Sequence, residues 1–338
     1  MNEPGNRVVS VVIMYGNRWH FLARTIDAIL QDEHIIKLII VDNGSLNEKE
    51  IREGVAHYSD RVRVLRQEKN LGSAGGFAVG IAAARKEDCD FVYLSDDDML
   101  PEKDFVDKYL AAKDLFADKK VVICGNRVDV PGNANVFYEP VSSVATTGTF
   151  FNVFGFAKFK NFFHLAFGSH VGEGKGVFVP VVPGRGGFVY GGAFIPIEAV
   201  RSAPLPDASL FLYGDDIEYA WGIEALGYNA YVSARPIIND IDLTFGQESH
   251  IFGLFKKDLH PFKVYYRMRN MVLLSVRHSK QKKLVLFLSV VSWFLGLLLL
   301  GLLRFGPSKH YFSRARLIIE AVRAGYDPKR KIPKEAII

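Results

Sequence analysis

The sequence predicts an α/β protein built on parallel strands joined by crossover helices, continued by a basic, apolar helical region that associates with membrane. Three observations carry this expectation. Short β-rich runs alternate with stretches of helical period through the first third of the 338 residues. Each run is followed by residues with chemistry to offer, and the carboxyl ends of parallel strands are where such sheets place ligands. The charge is also unevenly divided: residues 256–338 carry 18 Lys and Arg against 4 Asp and Glu, a local +14, which leaves −9 for residues 1–255.

A composition of 49% hydrophobic and 23% charged residues is that of a folded chain, long enough for one large domain or two smaller ones. Cys89 and Cys124 are too few for a disulfide scaffold and too far apart for a zinc ribbon. A reduced, cytoplasmic setting is therefore expected. The opening "MNEPGNR" lacks the order of a signal peptide.

Taken in order, the first run, "VVSVVIMY", leads into Tyr15 and Arg18 of "YGNR". The second, "KLIIVDN", ends at Asp42, whose carboxylate either accepts from a base or ribose or closes an Asp-Asn-Gly turn. "RVRVLRQ" is followed by "KNLGSAGG", where Asn70, Gly72, Gly75 and Gly76 suit either a phosphate cradle at a helix start or close packing of that helix. The segment is neither G-x-G-x-x-G nor a Walker loop with its lysine, so dinucleotide and P-loop readings lose their specific residues.

The fourth run meets three carboxylates in "FVYLSDDDMLPE". Strand alternation sends Asp96 and Asp98 one way and Asp97 the other, a hard-oxygen site for Mg²⁺ or Mn²⁺. The competing reading is a solvated acidic turn, which does not explain the apolar strand before it. Residues 137–190, rich in Phe and Gly, read as an irregular insertion, either a lid or acceptor surface or plain packing. "GGAF" contains Gly191 and Gly192, and "GDDIEYAWGIEALGY" reads as a helix opened by Asp215, Asp216 and Glu218 and closed by Gly227. Acids there are either caps or a rigidly presented base. "NAYVSARPIIND" is then a strand ending at Asn239 and Asp240, and His250 and His260 read as surface or packing residues.

The basic region contains the uncharged run "LVLFLSVVSWFLGLLLLGLL", residues 284–303, of membrane-crossing length. That run excludes nucleic acid as the better partner for the positive charge and favours membrane lipids. Lys280, Lys282 and Lys283 precede it and Arg304, Lys309, Arg314 and Arg316 follow, a symmetry unlike the one-sided bias of a spanning helix. Gly296 and Gly301 permit a break, so a span and an interfacial or re-entrant element both stand, beside an oligomer-forming helix.

In their order and spacing, Asp42, "NLGSAGGF", "DDD", "GGAF" and "GDD" with its following "GY" resemble the family 2 inverting glycosyltransferases of GT-A fold over residues 7–245. "KNLGSAGGFAVGI" with "LSDDDMLPE" looks most like the bacterial galactofuranosyltransferases, with rhamnosyltransferases near. The resemblance implies a catalytic domain over 1–250, its 1–125 half for the nucleotide sugar and its 126–250 half for acceptor and base, and a membrane-associating tail over 251–338.

It also implies roles. Tyr15, Arg18, Asp42, Asn70, Gly72, Gly75, Gly76, Asp96 and Asp97 would bind the donor, and Asp96 and Asp98 would hold Mn²⁺ or Mg²⁺. Asp216 would deprotonate the acceptor hydroxyl, with Gly191, Gly192 and Asp215 lining the acceptor. The family's metal-binding histidine is replaced in register by Asp240, with His250 as the other candidate. The expected reaction moves galactofuranose from UDP-galactofuranose to a lipid-linked glycan in cell-surface polysaccharide (O-antigen) assembly, at the cytoplasmic face of the inner membrane. The rival readings are a rhamnosyl- or other hexosyltransferase and, from a different class, a non-catalytic nucleotide-sugar-binding or scaffold protein; a homo-oligomer is compatible with each.

Overall fold

The structure is a computed structural model that describes residues 6–58, 60–117, 120–128, 149–150, 154–155, 181–183, 187–242, 251–279 and 281–337. In chain order the strands are β1 (Val8–Met14), β2 (Ile35–Asp42), β3 (Val62–Arg66), β4 (Phe91–Asp96), β5 (Met99–Pro101), β6 (Val121–Val128), β7 (Thr149–Phe150), β8 (Phe154–Gly155), β9 (Val181–Pro183), β10 (Ala193–Pro196) and β11 (Asn229–Asp240). The helices are α1 (Trp19–Leu30), α2 (Glu48–Val55), α3 (Gly72–Ala84), α4 (Phe105–Lys113), α5 (Ile197–Ser202), α6 (Asp215–Glu224), α7 (Pro261–His278), α8 (Lys283–Phe305) and α9 (Lys309–Tyr326).

Two compact units emerge. The first holds Met1–Pro140, Phe178–Phe211 and Asp215–Gly246, and the second holds Val141–Val177, Leu212–Gly214 and Gln247–Ile338. Among the described residues before 247, the second unit takes in 149–150, 154–155 and Leu212–Gly214. Most of the 137–190 insertion lies outside the described residues; of it, β7 and β8 pair antiparallel, and β9 pairs with β11.

The first unit is a mixed sheet in the order β3-β2-β1-β4-β10-β6-β11-β5. The expected parallel pairing holds for β3, β2, β1 and β4 and again for β6 with β11, while β10 enters antiparallel between β4 and β6. Alternation along β1 divides the core between the two faces. Val9, Val11 and Ile13 pack with Phe77 and Ile81 of α3, and Val8, Val12 and Met14 with Leu22 and Ile26 of α1. Helix α3 lies very close to the sheet because a Cβ on Gly80 would come within 2.3 Å of Val11.

In the second unit, Pro261 opens α7 at a position where its missing N–H costs nothing, and the Ser308 hydroxyl caps α9 by accepting from the Tyr311 amide at 3.1 Å. Helices α7 and α9 approach where Gly325 leaves room for Val272, since a Cβ there would sit 2.6 Å away. The Asn270 side-chain amide donates to the carbonyls of Leu212 (2.8 Å) and Tyr213 (2.9 Å), which ties that short stretch to α7.

Candidate active site

Strand β4 ends at Asp96, and Asp97 and Asp98 form the turn into β5. Strict alternation therefore does not continue through the triplet. Arg18, at the start of α1, donates from Nε to both oxygens of Asp97 (2.8 and 3.0 Å), from Nη2 to Asp98 (2.5 Å) and from Nη1 to Asp242 (2.5 Å). The Thr25 hydroxyl of α1 donates to the Asp97 carbonyl at 2.8 Å and pins the turn from behind. Burial raises Asp97 to about 7, against the pull of Arg18; burial and then the charge of Asp96 raise Asp98.

Asp240 reaches the same cluster because β11 pairs antiparallel with β5, placing Asp240 opposite Met99. Its carboxylate accepts from Arg127 of β6 at 3.0 Å. Gly191 lies against both Asp96 and Arg127: a Cβ there would stand 3.3 Å from an Asp96 oxygen and 3.4 Å from an Arg127 nitrogen. Asp97, Asp98 and Asp242 thus share the Arg18 guanidinium and Asp240 takes that of Arg127, with Asp96 within charge reach of both, a formal excess of negative charge.

These residues fit a hard divalent cation. The donor set is all carboxylate, and Asp98 Oδ1 is buried with no hydrogen-bond partner. Among the described residues, however, no three carboxylates or histidines already converge as a ready-made metal cluster. The arginine nitrogens, 2.5–3.0 Å from the oxygens of Asp97, Asp98, Asp240 and Asp242, hold much of the ligand set meanwhile. His250, the other candidate ligand, lies outside the described residues.

The glycine-rich segment starts α3 and is braced by Asn43. Its Oδ1 accepts from the Leu71 amide at 2.9 Å, its Nδ2 donates to the Gly72 carbonyl at 2.9 Å, and Asn70 Oδ1 accepts from the Gly72 amide at 2.8 Å. Gly72 has φ +71°, and a Cβ there would overlap the Phe211 carbonyl at 2.0 Å. That carbonyl accepts from the Ala74 amide at 3.1 Å, so the loop before α6 and the start of α3 are stitched together. The Ser73 hydroxyl completes the join by donating to Asp215 at 2.8 Å.

Asp215 is buried and Asp216 half-buried at the start of α6. Burial raises both above the ordinary carboxylate range, and the charge of Asp96 adds to each, while the Ile217 amide, donating to Asp216 at 2.8 Å, pulls the latter down. The strand-end triplet and the acidic helix start are electrostatic neighbours despite more than a hundred residues of separation.

Other expected residues fall differently. Asp42 is buried, with one oxygen accepting from the Ser45 amide at 2.9 Å and the other from Arg66 at 2.5 Å, so the turn reading describes its present contacts. Gly192 is stitched into the sheet, its amide donating to Leu94 and its carbonyl accepting from Gly125 and the Tyr109 hydroxyl. Tyr15 is exposed at the end of β1. Sequence reasoning missed Asp242, Arg127 and the hydrogen bond that ties Ser73 to Asp215. The spacing in "NDID" carries a signal for the first, since period two puts Asp242 on the face of Asp240.

The fold is that of the GT-A glycosyltransferases. It is shared with a mannosyltransferase of Pyrobaculum calidifontis solved with GDP-Man and Mn²⁺, at TM-score 0.52 and 14% identity over 96% of this chain and 88% of that one. Residues 10–170, a little under half of the chain, match the family model described as glycosyl transferase family 2. Among curated proteins it is 27% identical to the galactofuranosyltransferase GlfT1 of Mycolicibacterium smegmatis over 219 residues, 62% of this chain and 63% of that protein. It is 30% identical to the glycosyltransferase GlyG of Streptococcus pneumoniae over 136 residues, 39% of this chain and 43% of that protein. The chain therefore spans less than two thirds of the length of these relatives.

Proposed function

We propose that the protein is an inverting hexosyltransferase that moves galactofuranose from UDP-galactofuranose onto a lipid-linked glycan at a membrane surface. The observation that carries the reaction type is the junction of two helix starts: Ser73 of the glycine-rich α3 holds Asp215, beside Asp216, within charge reach of the strand-end Asp96. Likeness to a galactofuranosyltransferase supports the donor.

In this reading, the backbone amides at the start of α3 face the diphosphate, and Asp216 takes the proton of the acceptor hydroxyl. That oxygen then forms its bond to the anomeric carbon as the bond to the diphosphate oxygen breaks on the opposite face. The electron pair leaves with UDP, and configuration inverts. Asp96, Asp98 and Asp240 would hold Mg²⁺ or Mn²⁺, which supplies positive charge beside the leaving diphosphate when bound. Asp242, from the same strand end, is an added candidate for that set.

The test is Asp216→Asn with a panel of nucleotide sugars and a polyprenyl-diphosphate glycan. Transfer should fall at least about 10³-fold while UDP with Mn²⁺ still protects the fold thermally. Retained transfer would remove Asp216 from the role of base, and a preference for dTDP-rhamnose or UDP-glucose would replace the donor.

A further inference from the structure

We infer that α8 and α9 together form a docking face for an anionic lipid bilayer, with α8 lying along the membrane surface and not across it. Helix α8 has the length and apolarity to span, and its 23 residues extend about 34 Å. Its surroundings decide otherwise.

One side of α8 is already occupied by its own unit. Leu286, Val290, Trp293, Phe294 and Leu297 are buried, and at Gly301 the missing side chain makes room for the Phe255 ring, which a Cβ would meet at 2.7 Å. The Tyr311 hydroxyl of α9 donates to the Leu298 carbonyl at 2.6 Å. To cross a bilayer in this packing, α8 would have to take α9 with it, including its exposed Lys309, Arg316 and Arg323.

The opposite side of α8 is an exposed apolar stripe. Leu284, Phe287, Leu288, Leu295, Leu299 and Leu303 recur at helical spacing and are 45–73% exposed. Helix α9 extends this surface. Phe312, Ile319 and Tyr326 are exposed seven residues apart, with exposed Arg316 and Arg323 between them on the same face. The rings of Phe287 and Tyr326 come together at 6.1 Å and join the two stripes.

Charge selects the occupant. Lys282 and Lys283 stand exposed at one end of α8 and Arg304 at the other, so the apolar face is bordered and interleaved by cations. Two copies of such a face would bring like charges together, whereas anionic headgroups would neutralise them while the acyl region takes the leucines. This placement stands independently of the transferase reading.

The test uses the full chain with phosphatidylcholine vesicles, with and without phosphatidylglycerol. Flotation should show binding at least about tenfold stronger to the anionic vesicles. Alkaline carbonate should release the protein, and Lys282→Cys and Arg304→Cys should both label from the outer side. The pair Leu295→Glu and Leu299→Glu should abolish binding, and Arg316→Glu with Arg323→Glu should remove the preference for anionic lipid, each with an unchanged circular dichroism spectrum. Retention after carbonate with the two cysteines on opposite sides would establish a span and overturn the proposal. So would equal binding to both vesicle types, or a lipid-free dimer that Leu295→Glu dissolves.

Discussion

Arg18 is the residue on which the aspartate cluster turns. Its guanidinium engages Asp97, Asp98 and Asp242, none of which is more than a tenth exposed, and is itself only 27% exposed. Breaking a buried ionic group by removing one partner costs about 3–5 kcal/mol, because the remaining charges stay buried. Arg18→Met should therefore lower the thermal midpoint of the cation-free protein. Mn²⁺ should recover more of that loss than it adds to the wild type, since the carboxylates freed of their guanidinium attract the ion more strongly. Equal Mn²⁺ shifts in both proteins would show that Arg18 and the cation do not share ligands. For Asp216, raised by burial to about 6, the sign follows from its role. A base works deprotonated, so turnover should be full above about pH 7 and fall tenfold per unit below about pH 6. An acid limb near pH 4 in the rate profile would mean that burial does not perturb the working carboxylate.

At the scale of elements, the strands and helix starts were legible and their order was not. Apolar runs of β character identified β1 to β4, and the acids and Gly227 bounded α6, because those signals are local. The antiparallel entry of β10 between β4 and β6 depends on pairing between distant segments, which no local pattern encodes. The same reason hid Arg127, Asp242 and the tie from Ser73 to Asp215: each pairs across 113 or more residues of chain, joining segments that the sequence keeps apart. The glycines show how location decides what a local signal is worth. Gly16 and Gly72 share nearly the same left-handed backbone, at φ +77° and +71°. Nothing lies within 4 Å of a Cβ on Gly16, whereas one on Gly72 would overlap the Phe211 carbonyl. Gly16→Ala should thus cost only about 1–2 kcal/mol for the backbone conformation. Gly72→Ala should cost about 2–4 kcal/mol and also lose the protection given by UDP, as denaturant melts with and without nucleotide would reveal. Equal costs at the two sites would mean that the loop before α6 yields freely.

For the whole molecule, the chain assigns its two tasks to different stretches. The described residues of the candidate site all precede residue 243, and the exposed apolar stripe lies within residues 284–326. Charge follows the same division, with −9 on residues 1–255 and +14 on residues 256–338. The acidic part suits a cation and carries Asp216, the carboxylate proposed as base; the basic part suits anionic lipid. Ligand linkage can test this separation, because a ligand that binds only the folded state at 100 times its Kd stabilises by about 2.7 kcal/mol, a shift of several degrees. In the intact protein carrying Leu295→Glu and Leu299→Glu, UDP with Mn²⁺ should raise the thermal midpoint as in the wild type although vesicle binding is lost. Asp216→Asn should show the converse, undiminished vesicle binding with no transfer to a lipid-linked acceptor. If the leucine substitutions abolish the nucleotide shift while leaving the circular dichroism spectrum unchanged, the apolar face takes part in forming the donor site and the two tasks are not separable.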